Sequence, residues 1–124
     1  MVLNDTICEI CEFECNAIYF QRNFNSWTSG NNDIDKLIQE TQLSAHTTYE
    51  ARSALEWIYY ERFNDIKYIE KSGFGKVYRA NWIDGYIDVW NIVNQNWKRK
   101  NQNMFVILKT LNNITLDINT MKKV

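Results

Sequence analysis

The sequence predicts an α+β fold: a helical N-terminal extension followed by an antiparallel three-stranded sheet. Three observations carry this. Residues 33–46 repeat apolar side chains at helical spacing, with Ile34, Leu37 and Ile38 extended by Thr41 and Ala45. Residues 66–84 read as two strands around a glycine turn, Ser72-Gly73-Phe74-Gly75. Phe105-Val106-Ile107-Leu108 is an apolar run of high strand propensity that ends in Lys109.

Ile18, Phe20, Phe24 and Trp27 suggest a short helix between Asn16 and Trp27. Trp27-Thr28-Ser29-Gly30-Asn31-Asn32 is a turn whose polar residues offer an N-cap to the next helix. Asp33 and Asp35 then fall in a first turn, where the helix dipole favours acids. Ala51 to Trp57 adds a further helical turn or two. The aromatics Trp57, Tyr59, Tyr60 and Phe63 bury large areas and read as core. Asp84-Gly85 is a hairpin signal. Tyr86 to Asn103, with Trp90, Trp97 and Lys98-Arg99-Lys100, reads as a strand–loop–strand insertion. Three charges beside one aromatic are too few for a nucleic-acid stacking groove, so the basic triplet is assigned to a solvated loop.

The chain has 124 residues, enough for one domain or less. Its formal net charge of −1 gives no global field to recruit nucleic acid or an anionic membrane. No apolar run approaches the length of a membrane span. Residues 1–6 lack the basic and apolar regions of a signal peptide. The expected compartment is the cytoplasm or nucleus, with reduced cysteines.

Cys8, Cys11 and Cys15 crowd the first sixteen residues. Two thiolates in a C-x-x-C turn can share one tetrahedral ion, and Cys15 supplies a third ligand. A structural zinc site wants four. The single histidine, His46, is far away in sequence. It reads as a surface or helix-end residue. The favoured reading is therefore spare, reduced cysteines of a degenerate site. Any zinc is expected to be held loosely, with water or a partner in the fourth position.

Ile69-Glu70-Lys71-Ser72-Gly73-Phe74-Gly75-Lys76-Val77-Tyr78-Arg79-Ala80, followed by Met104-Phe105-Val106-Ile107-Leu108-Lys109, resembles the start of a protein kinase domain. The resemblance implies a small lobe, with ATP held as its magnesium complex. It implies that Ile69, Val77 and Ile107 roof the adenine. Ser72, Gly73, Phe74 and Gly75 would lie over the phosphates, and Lys109 would pair with them. Two departures weaken the pocket. Glu70 and Ser72 stand where the family has glycine, and Ile107 is bulkier than the usual alanine. The segments Cys15-Asn16-Ala17, Phe20-Gln21, Asn23-Phe24, Trp27-Thr28-Ser29-Gly30-Asn31 and Leu55-Glu56-Trp57-Ile58 resemble those of a group of fungal kinase-like proteins, in which a cysteine knuckle precedes the kinase domain. The implied division is a degenerate knuckle with a short helix over 1–30, a helical and aromatic extension over 31–63, and an incomplete small lobe over 64–124.

In that family a helix follows the strand lysine, and here it would be truncated. No glutamate follows Glu70, and the chain holds no His-Arg-Asp or Asp-Phe-Gly. Phosphoryl transfer needs those residues, so this chain alone is expected to be inactive. The alternative is a non-catalytic protein-interaction module or a pseudokinase remnant. A protein partner or substrate is expected, and neither nucleic acid nor membrane. The strand Met104–Leu111 is expected at a sheet edge, where it invites self-association.

Overall fold

A computed structural model describes residues 7–110 and the backbone of residues 119–123. The described chain is α+β, with short helices and antiparallel strands. By contacts it divides into two units, Met1–Trp57 with Ile87–Lys98, and Ile58–Tyr86 with Arg99–Val124.

The first unit begins with a cysteine turn and α1, Asn16–Arg22, which buries Ala17, Ile18 and Phe20. The longest helix, α2, spans Asn32–Leu43. Asn31 caps it: the side-chain oxygen accepts from the Asp33 and Ile34 amides at 2.9 and 3.1 Å. Asp35 folds the preceding turn by accepting from the Ser29 amide and from the Ser29 and Thr28 hydroxyls. Burial opposes the charge on Asp35, but these donors win and hold its carboxyl below the usual range. Ile34, Ile38 and Gln42 face inward at a four-residue interval, while Leu37 stays exposed. Gln42 Nε2 donates to the Leu55 carbonyl at 2.9 Å, which ties α2 to the chain beyond α3.

Helix α3 occupies Thr48–Ser53, earlier than the Ala51–Trp57 expected from the sequence. Its start is set by a reciprocal cap. The Thr47 hydroxyl accepts from the Glu50 amide, and Glu50 accepts from the Thr47 amide. Residues 54–57 then carry no helix or strand.

The insertion is a two-stranded ribbon, β3 (Tyr86–Asn91) and β4 (Asn96–Lys100). Its tip belongs to the first unit. Ile87 joins Phe20, Ala45 and Ala51 in one core cluster, with Trp97 against it. Trp90 stacks on Tyr19 at 4.5 Å and 8°, and Trp97 meets both edge-on. Arg52 donates to Asp88 Oδ1 at 2.6 Å and to its carbonyl at 3.3 Å, joining α3 to β3.

The second unit is a sheet in the order β1–β2–β5–β6, all neighbours antiparallel. Its strands are β1 (Phe63–Ser72), β2 (Gly75–Trp82), β5 (Met104–Thr110) and β6 (Asn119–Lys123). Directly paired residues share a face. Tyr78, Ala80 and Trp82 pair with Leu108, Val106 and Met104 and turn to the core with Phe63. Val77, Arg79 and Asn81 pair with Lys109, Ile107 and Phe105 on the opposite face.

Two expectations are corrected here. The sheet has four strands among the described residues, not three. The expected truncated helix is replaced over 119–123 by strand β6, while residues 111–118 lie outside the described residues. Consequently β5 is not an edge strand. Its described part, Met104–Thr110, has β2 on one side and β6 on the other, so its backbone groups are not free to recruit another chain.

Gly85 leads β2 into the insertion at φ +74°, and a Cβ there would collide with the Lys100 carbonyl. Both the conformation and the close approach demand glycine. Gly85→Ala should lower stability by on the order of 2 kcal/mol or more, read from denaturant midpoints, whereas Gly73→Ala, where a Cβ meets nothing, should cost less than about 1 kcal/mol.

Candidate metal centre

The cysteine turn is built by its own backbone. The Glu12 amide donates to the Cys8 carbonyl at 2.7 Å, and the Cys8 amide donates to the Phe13 carbonyl at 3.1 Å. Glu12 sits at φ +62°, a left-handed geometry that closes the turn and costs a non-glycine residue energy. Cys15 then occupies the N-cap of α1 in an extended conformation. Ala17 and Ile18 pack against Cys8 and Cys15 in one buried cluster, with Cys11 and Leu43 at its margin.

His46 completes the site. It lies between the end of α2 and the capped start of α3, so both its neighbours in the chain are fixed. Asn16 grips it from the other side: its amide and its side-chain Nδ2 both donate to the His46 carbonyl, at 3.4 and 2.9 Å. Since Asn16 follows Cys15 directly, one residue orients the third thiol and the imidazole together.

The His46 Nδ1 lies 3.5 Å from Cys8 Sγ, 3.5 Å from Cys11 Sγ and 3.4 Å from Cys15 Sγ. One ring nitrogen cannot make three separate hydrogen bonds. A tetrahedron offers a better account. With Zn–S near 2.3 Å and Zn–N near 2.0–2.1 Å, the S···N edge is roughly 3.6 Å. All four ligand atoms lie within 4.8 Å of one another, as such a cage requires. Cys8, Cys11, Cys15 and His46 could therefore hold one metal ion. The reading of His46 as a surface or helix-end residue is corrected, and so is the missing fourth ligand. The fold closes a gap of 31 to 38 residues that sequence spacing could not.

Electrostatics without an ion are unfavourable to three thiolates. Burial, then the Cys15 and Cys8 thiols, push Cys11 up to about 11. Burial also opposes ionisation of Cys8, but the amides of Cys11 and Ile10 together with the neighbouring thiols outweigh it and lower its pKa. A divalent ion removes this conflict by supplying the positive charge directly.

The residues assigned by resemblance to nucleotide are distributed differently. Val77, Ile107 and Lys109 share one face of the sheet. Gly73 and Phe74 form the two-residue turn between β1 and β2, closed by the Ser72–Gly75 pair. The Ser72 hydroxyl donates to the Gly75 carbonyl at 3.1 Å. Phe74 swings its ring to 4.9 Å from Lys109 Nζ. Ile69 falls in the irregular register between Tyr68 and Glu70 and is exposed. Glu70 pairs with Val77, beside that face.

Among the described residues, no helix is long and apolar enough to cross a membrane. No protein-family model, curated protein or solved structure matches the chain.

Zinc binding at neutral pH should release protons, Cys11 contributing one because its free thiol titrates near 11. Calorimetry in buffers of different ionisation enthalpy will measure the number released. A heat independent of buffer would show that the thiols do not ligate.

Proposed function

We propose that the chain is a zinc-stabilised, non-catalytic interaction module. Cys8, Cys11, Cys15 and His46 hold a structural ion that organises its first unit. The observation that carries this reading is the set of three Sγ–Nδ1 distances, 3.4–3.5 Å around a single ring nitrogen. Four protein donors close the coordination sphere, and a catalytic zinc keeps one position open. Glu9, Glu12 and Glu14 surround the turn, which disfavours a nucleic-acid backbone as the partner and favours a protein. Reduced thiolates suit the cytoplasm or nucleus.

The purified chain should carry about one zinc, and His46→Ala or Cys8→Ser should lower zinc affinity at least tenfold. Chelation should melt α1–α3 while the sheet signals persist in amide spectra. Unchanged zinc content in both variants would refute the site.

A second reading is favoured by a separate observation, the common face of Val77, Ile107 and Lys109. It takes β1, β2 and β5 as a kinase-like small lobe that contacts magnesium–ATP weakly. The residues present support contact and not phosphoryl transfer. Affinity should be about 1 mM or weaker, since so few contacts give only about −4 kcal/mol. Amide shifts during Mg-ATP titration measure it, and micromolar binding that survives Lys109→Ala would count against this assignment.

A further inference from the structure

The near-neutral chain hides two opposed halves. The first unit, 1–57 with 87–98, holds ten acidic and four basic side chains, a formal −6. The second, 58–86 with 99–124, holds five acidic and ten basic ones, a formal +5. Together these are the 15 acids and 14 bases of the whole chain.

Each unit also exposes apolar surface beside its charge. On the cysteine turn, Ile10 is 64% and Phe13 62% exposed, between exposed Glu9, Glu12 and Glu14. On the outer face of the sheet, Phe105 is 43% exposed, and Ile107 sits between it and Lys109. Arg79 pairs with Ile107 and Lys67 with Arg79, both exposed. Glu70 is the one acid of β1 paired in register with that face. One surface is acidic and apolar, the other basic and apolar, and both belong to the same chain.

We propose that these surfaces recognise one another between copies: the acidic cysteine turn of one molecule docks on the Lys67–Arg79–Ile107–Phe105 face of a second. The contact is heterologous, so each dimer still offers one free surface of each kind, and association is open-ended unless the ring closes. Opposed charge sets the encounter and the register, while Ile10, Phe13 and Phe105 supply the apolar contact. The proposal needs only the charge and exposure of these residues and does not depend on nucleotide binding.

The test uses the zinc-loaded full chain in sedimentation velocity. At low ionic strength the average mass should rise with protein concentration. The apparent dissociation constant should weaken about tenfold or more between roughly 0.01 and 0.3 M salt, as the screening length falls below the reach of the two surfaces. Glu9→Lys with Glu12→Lys, and separately Lys67→Glu with Arg79→Glu, should each give monomers. Mixed together they should associate again, because the wild-type pairing of acidic turn and basic face survives between the two variants and the reversed pairing is also opposite in charge. Zinc content and circular dichroism check that each variant is folded. If a reversal unfolds, Glu9→Gln and Arg79→Gln replace it, each expected to weaken association several-fold. A wild-type chain that stays monomeric at low salt overturns the proposal and leaves each surface to a different partner. Variants that associate like wild type, or folded variants that fail to pair when mixed, overturn it equally.

Discussion

Four donors around one point set the arrangement of the N-terminal unit. Cys8 and Cys11 lie in the turn, Cys15 opens α1, and His46 joins α2 to α3. Closing that cage around an ion would fix α1, α2 and α3 each at one end. The local apolar cluster is small: two of its four buried members, Cys8 and Cys15, are candidate ligands, and only Ala17 and Ile18 are not. That cluster alone cannot offset the ordering of the cysteine turn. A bound ion can, because ligand-bond energy becomes folding energy when the unfolded chain has no preformed site. The Asn16 grip on the His46 carbonyl makes the same point in geometry, since it aligns backbone on both sides of the cage.

The long insertion finds its physical reason in the same unit. A chain passing from β2 to β5 needs only a hairpin turn. Instead it leaves at Gly85, where only glycine avoids the Lys100 carbonyl, and runs out as β3 and back as β4. The excursion delivers Ile87 to the Phe20–Ala45–Ala51 cluster and sets Trp90 and Trp97 around Tyr19. Buried Asp88 then meets Arg52 of α3. Residues distant in sequence thus supply much of the apolar packing that the short helices lack.

Much of the fold was legible in the residues. The period of Ile34 and Ile38 and the polar turn before Asn31 produced the elements they signal, whereas Asp84-Gly85 makes no hairpin, because β2 and β3 on either side of it belong to different sheets. Leu37 misled because one side chain on a helix can match the period and still face water. Helix α3 was misplaced because the capping box Thr47–Glu50 carries more local information than the aromatic run behind it. The strand at 119–123 escaped because the kinase resemblance argued for a helix there. His46 was missed for a different reason. Metal motifs in sequence are read by spacing, and the fourth candidate ligand arrives through tertiary structure, after α1, a turn and α2. The available signal was arithmetic: three clustered cysteines and one histidine make a complete set of four.

The positive field of the sheet unit follows from how its cations are held. In the first unit Arg22 and Arg52 reach the carboxylates of Glu14 and Asp88. In the second, Arg62 meets Asp84 in a two-pronged pair. Two other cations of that unit lie on rings: Arg79 at 5.8 Å from the Phe105 centroid and Lys109 at 4.9 Å from that of Phe74. The difference has an electrostatic consequence. A carboxylate orients a cation and cancels its charge; an aromatic face orients it through a quadrupole and leaves the charge intact. Such contacts are worth about 0.5–1 kcal/mol at exposed sites, enough to bias a rotamer and too little to hold it against an anionic partner. Arg79 and Lys109 are therefore prearranged on one face of the sheet, with no carboxylate paired to them among the described residues and their release inexpensive. Net charge over the whole chain, −1, averages this away, because it sums the two units that the fold keeps distinct.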